Sequence, residues 1–232
     1  MRLDINVLNP SFEPIAVIDS YKSLIWTKRY YTCGDFELYI PADKNLLSVL
    51  LPDNFISRED DDTIMCIERL EILTDSENGD YYIVSGRSLE SVIGRRIVLS
   101  QTVISEEDAV QGIKELIAGQ TSGYREIPGL VIDASLEVPQ PLTAQFTGDN
   151  LLDAVSSLCV RFGIGFKISL SGSYLTLSFY IGNDVDVYFS PEFDNLINSK
   201  TVFDTSKKRN FAKILGEGEG TSRIGVSLYA KL

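Results

Sequence analysis

Glu217 and Glu219, set two apart in Gly216-Glu217-Gly218-Glu219-Gly220, are the pair in this sequence best spaced for chemistry. On a strand, alternation would put both carboxylates on one face, where they could hold a cation or share a proton as acid and base. A glycine-softened strand that bends tightly or admits another backbone explains the same residues and is preferred. Phosphate binding fits poorly, because the segment lacks the Gly-Lys-Ser/Thr ending and its acids repel phosphate. Glu59-Asp60-Asp61-Asp62 is the other candidate cation site. Calcium loops space their ligands around a glycine turn, whereas consecutive acids cannot all point inward, so a solvated hairpin tip is expected. Gly163-Ile164-Gly165 follows a helix instead of opening one and reads as a helix stop, not a dinucleotide fingerprint.

The remaining reactive groups are sparse. The chain contains no histidine, and its three cysteines, Cys33, Cys66 and Cys159, are far apart with no CxxC spacing. That removes imidazole-based catalysis and most zinc sites, and it leaves the cysteines as reduced, buried residues. A serine nucleophile would need a lysine or terminal-amine partner that no spacing supplies. No catalytic residue, metal ligand or cofactor-binding residue is assigned, and no enzyme is expected.

At 232 residues and 44% hydrophobic, the chain can bury a proper core. Its net charge of −12 is uneven: residues 1–150 carry 12 basic and 25 acidic side chains, residues 151–232 carry 9 and 8. The sign of the first part disfavours nucleic acid as a partner and favours solubility. The amino terminus has no signal-peptide pattern, and no apolar run nears the ~20 residues of a membrane span, so no stable membrane insertion is expected.

The elements that would position these groups are mostly strands. Leu3–Leu8 and Phe12–Ile18 predict a terminal hairpin, with further strands at Ser23–Tyr31, Phe36–Ile40, Phe55–Ser57, Thr63–Leu73, Tyr81–Gly86 and Arg95–Leu99. Trp26, Tyr30, Phe36 and Tyr39 are read as core rather than as a ligand platform. Asp43 caps a short helix, Ser105 a second one carrying Val110, Ile113, Leu116 and Ile117, and Asp149 a third running to Gly163. Short strands are expected at Leu130–Ile132 and Leu142–Phe146. Gly165–Ser169 and Tyr174–Tyr180 form a hairpin under the third helix, and Val185–Phe189, Lys200–Phe203, Phe211–Leu215 and Ile224–Ala230 follow as strands.

In order along the chain, Ser23–Tyr31, Gly34-Asp35-Phe36-Glu37-Leu38, Ser85–Glu90, Thr147–Ala154, Phe189–Leu196 and Gly216–Gly220 resemble the successive blocks of siphophage and prophage tail proteins, in particular the baseplate-hub and tail-associated-lysin amino-terminal module. The resemblance implies a β-rich α+β chain with two small tube-like β-barrels and an inserted α/β domain. The divisions would be 1–99, 100–182 and 183–232, with the second barrel short or cut at its carboxy end. It also implies a homotrimeric ring at the virion tail tip, folded in the host cytoplasm. That ring would touch distal tail and tape-measure proteins and pass DNA through a channel without reading its sequence. A receptor- or carbohydrate-binding module using Tyr30, Tyr31 or Tyr124 is the alternative. A cell-wall hydrolase using Glu217 and Glu219 ranks third.

Overall fold

A computed structural model describes residues 3–75, 79–171, 174–218 and 223–229. The chain divides into two compact units, Met1–Asn183 and Asp184–Leu232. In the first, strands β1 (Ile5–Leu8), β2 (Pro14–Ile18), β3 (Ser23–Thr27), β4 (Asp35–Pro41), β5 (Phe55–Arg58), β6 (Ile64–Asp75) and β7 (Gly79–Ser88) build one antiparallel sheet. The strand order is β2-β1-β5-β6-β7-β4-β3, so β2 and β3 are edges and the expected closed barrel is not formed among the described residues. The run read as Ser23–Tyr31 stops at Thr27, because Arg29 turns to pair with Asp35 and Tyr30 packs elsewhere.

Alternation along these strands sends Ile5, Val7, Phe36, Leu38, Ile40, Ile56, Met65 and Val84 to one buried face. The short helix α1 (Lys44–Leu47), capped by Asp43 as expected, lies beside this core through Leu46 and Leu47. The β6–β7 ladder shifts register between Ile67 and Arg69. Opposite the shift, a Cβ on Gly86 would lie 1.9 Å from the carbonyl oxygen of Cys66, so only glycine fits.

After β7 a 3-10 turn, Leu89–Arg95, leads to the second core of the same unit. Its elements are β8 (Thr102–Glu106), α2 (Ala109–Gln120), β9 (Leu130–Asp133), β10 (Leu142–Phe146), α3 (Leu151–Phe162), β11 (Gly165–Ser171) and β12 (Tyr174–Tyr180). β8 pairs with β10, while β11, β12 and β9 form a three-stranded sheet in that order. Val155, Leu158 and Cys159 of α3 share the apolar core with Phe166 and Leu177 of the hairpin, the arrangement expected from their spacing.

Several local expectations move. Ser105 lies in β8; α2 starts later because Asp108 accepts the amides of Val110 at 2.8 Å and Gln111 at 3.0 Å. The same carboxylate also takes Val138 N–H at 2.6 Å, tying the cap to the loop before β10. Likewise Asn150, not Asp149, caps α3, and Asp149 accepts Thr147 N–H instead. Gly163 closes α3 in the left-handed region at φ 69°. Arg95–Leu99 is not a strand; it contributes one isolated bridge, Ile97 to Asn150.

Within the second unit, β13 (Phe211–Leu215) and β14 (Gly225–Tyr229) form an antiparallel hairpin. All ten residues of the two strands are exposed. Val185–Phe189 and Lys200–Phe203 stay irregular, since alternation makes a strand only where a neighbour completes the ladder. Among the described residues this unit therefore holds a hairpin and no barrel.

Candidate functional site

The four acids after β5 lie in the turn between the paired strands β5 and β6, with Glu59, Asp60 and Asp62 exposed as expected of a solvated tip and only the Asp61 side chain turned inward. Asp60 pairs with Arg58 at 2.6 Å, Asp61 with Lys28 at 2.8 Å, and Asp62 with Lys167 at 3.0 Å. The side chain of Asp61 is only 8% exposed and also accepts Thr63 N–H at 2.8 Å. Burial pushes its pKa up, but the bonds from Lys28 and Thr63 outweigh that and hold it below the ordinary aspartate value. Each of the three aspartates points to a different cation, so the run cross-links β5, the loop after β3, and β11.

Those links border a cleft of about 400 Å³ inside the first unit, between the seven-stranded sheet and the β11–β12 hairpin. Lys28, Arg29, Lys167, Phe166, Tyr180 and Glu90 line it. Glu90, 6% exposed, accepts Ile168 N–H at 2.7 Å and so satisfies an amide on the outer edge of β11. Nearby, Ser88 Oγ accepts Gly34 N–H at 2.7 Å. At the far side the Tyr30 hydroxyl accepts Gly182 N–H at 2.6 Å and lies 3.3 Å from the carbonyl oxygens of Gly163 and Tyr180. Tyr30 packs edge-on against Tyr31 and Tyr180.

The arrangement joins two halves of a unit rather than activating a group. Burial pushes the Cys159 thiol up to about 12 and raises Cys33 and Cys66 as well, so all three are protonated and unreactive near neutrality. Burial also raises the Tyr180 phenol. No group of three or more acids or cysteines with metal-binding geometry occurs among the described residues.

The other residues singled out from sequence scatter. Phe36 is core and Trp26 packs against it, with the guanidinium of Arg58 5.4 Å above the indole. Tyr39 stacks on Tyr81 beneath Lys22, on the side away from the core. Tyr124 is 91% exposed in the short 3-10 turn Gly123–Arg125. Gly216 to Gly218 belong to the turn after β13, not to a strand, and Glu217 is exposed; Glu219 and Gly220 lie outside the described residues. Glu90 and the Tyr30 contact were missed. In the sequence Glu90 shows only as the end of the block Ser85–Glu90 and as an acid between the apolar residues Leu89 and Val92.

Residues 4–229 match the family described as Siphovirus ReqiPepy6 Gp37-like protein. Among curated proteins nothing matches. Among solved structures, the prophage tail protein gp18 of Listeria monocytogenes EGD-e superposes with a TM-score of 0.58 at 12% identity, over 97% of this chain and 67% of that one. A tail protein of Neisseria meningitidis MC58 gives 0.47 at 12% identity, over 76% and 50%. The chain thus spans about two thirds of the first and half of the second. The gp18 likeness is one of fold. The resemblance to siphophage and prophage tail proteins holds, because the match covers nearly every residue: the chain belongs to the Siphovirus ReqiPepy6 Gp37-like protein family.

Proposed function

We propose that this chain is a structural subunit of a phage tail tip, a baseplate hub that joins the tail tube to the distal tip. Three copies form a ring around a channel for tape-measure protein and DNA. Each copy contributes a first tube-like domain (1–99), an inserted α/β domain (100–182) and a second tube-like domain (183–232). The protein acts at the virion tail tip after folding in the host cytoplasm, and it works through surfaces, not through a reacting group. The family match across residues 4–229 is the observation that carries this reading. The 25 acidic against 12 basic residues of 1–150 suit a channel wall that repels DNA during passage. Sedimentation equilibrium tests the assembly: association to three copies is expected, and a monomer at every concentration would overturn it. A carbohydrate-binding module is the second reading, favoured by the exposed ring of Tyr124; retention on a glycan array, lost in Tyr124→Ala, would promote it.

A further inference from the structure

We propose that the β13–β14 hairpin of one copy docks on the β2 edge of a second copy's first unit, in a head-to-tail contact. The inference rests on the self-assembly reading above and assigns its interface.

The hairpin needs a partner. Ile214 faces Val226 and Ala212 faces Leu228, so these four residues share one face that contains no polar side chain. Ile214, Val226 and Leu228 are each more than half exposed. A two-stranded ribbon is marginal in water by itself, and this one has apolar side chains to bury and, among the described residues, no further strand on either side.

Charge selects the occupant. Lys207, Lys208 and Arg209 lead into the hairpin, with Lys213 and Arg223 on or beside its strands, against Glu217 and Glu219 in the turn sequence. The first unit carries 26 acidic and 14 basic residues over 1–183, a net of −12. A second copy therefore offers an attracting surface.

Charge also selects the edge. β2 has no charged residue within it, presents Ile15 and Val17 to solvent, and is flanked by the exposed acids Glu13 and Asp19. At its end Val17, Asp19, Pro41, Asp43 and Leu46 line a groove of about 350 Å³ that carries two carboxylates, which suits a cationic lead-in. The opposite edge, β3, has Lys22 just before it, and Lys28 and Arg29 just after it are already paired with Asp61 and Asp35, so it attracts that lead-in less than β2 does. Natural sheets guard such edges with inward charges; β2 has none, and carries instead Pro14 at its first position and a register shift at Ile15.

The contact is heterologous, which gives it a mixing test. Val17→Glu disables the edge and Val226→Glu the hairpin; both side chains are over half exposed, so native melting temperature and circular dichroism are expected. Each variant alone should self-associate at least 10-fold more weakly than the native chain in sedimentation velocity. Mixed one to one, they should form a 1:1 dimer and nothing larger, since each retains the surface the other has lost. Ile25→Glu on β3 should assemble like the native chain, and the double reversal Lys207→Glu with Lys208→Glu should reproduce the Val226→Glu defect. Native-like assembly of Val17→Glu or Val226→Glu, or a mixture that stays monomeric, would overturn the interface while leaving the ring reading standing. A native chain that never associates, whatever else covers the hairpin, would overturn both.

Discussion

The hydroxyl of Tyr30 accepts the amide proton of Gly182 at 2.6 Å, although the two residues are 152 positions apart. Tyr30 comes from the loop after β3, and Gly182 stands just past β12, at the end of the first unit. One side chain thus fastens the seven-stranded sheet to the last turn of the unit's chain.

Removing that hydroxyl should loosen the end of the unit without unfolding it. Tyr30→Phe keeps the stacking on Tyr31 and Tyr180 but loses a bond worth ~0.5–1.5 kcal/mol. Hydrogen exchange should show faster exchange at Gly182 while amides in β6 and β7 keep their native rates. Unchanged protection at Gly182 would mean that the contact carries no weight.

Glu90 offers a sharper contrast. Glu90→Gln keeps an oxygen that can accept Ile168 N–H, whereas Glu90→Ala leaves that buried amide unsatisfied at a cost of ~1–3 kcal/mol. Urea denaturation should rank native, Gln and Ala in that order. Equal midpoints for the Gln and Ala variants would contradict the role given to the carboxylate.

Asp61 predicts an acid limb. Its folded pKa lies below the ordinary value of 3.8, so its stabilising contribution is present above that value and is lost as pH falls through the depressed one. The native chain should be more stable than Asp61→Asn at pH 6, and the difference should shrink on acidification below about pH 4. A difference that is constant with pH would rule out the ion pair with Lys28 as its source.

The thiols report on global opening. With Cys33, Cys66 and Cys159 buried and protonated, a thiol reagent at neutral pH should label them only as fast as the first unit unfolds. Rapid stoichiometric labelling of the native chain would contradict their burial.

Gly86→Ala should destabilise the first unit at or beyond the upper end of the ~1–3 kcal/mol typical of overpacking, because its Cβ meets a backbone oxygen that cannot rotate away. A thermal melt decides it; a native midpoint would show that the β6–β7 ladder can shift.

Legibility followed the range of the interactions. The α3–hairpin unit could be read because its signals are local: apolar residues at helical spacing, Gly163 at the stop, and alternation in β11 and β12. Caps were misplaced by one residue at Asp149 and by three at Ser105, since neighbouring acids and hydroxyls can all accept first-turn amides and only tertiary contacts such as Asp108 to Val138 choose between them. Sheet closure was not legible, because pairing of β2 with β3 depends on geometry that alternation does not encode. The joints of the cleft were invisible for the same reason: Glu90 and Ile168 are 78 residues apart, and Asp62 and Lys167 are 105.

The central claim is that copies of this chain enclose a passage. Electron microscopy of the purified protein at concentrations where it associates measures that directly. The account predicts three-fold particles with an open centre; solid particles without a passage, or an isolated single subunit, would contradict it.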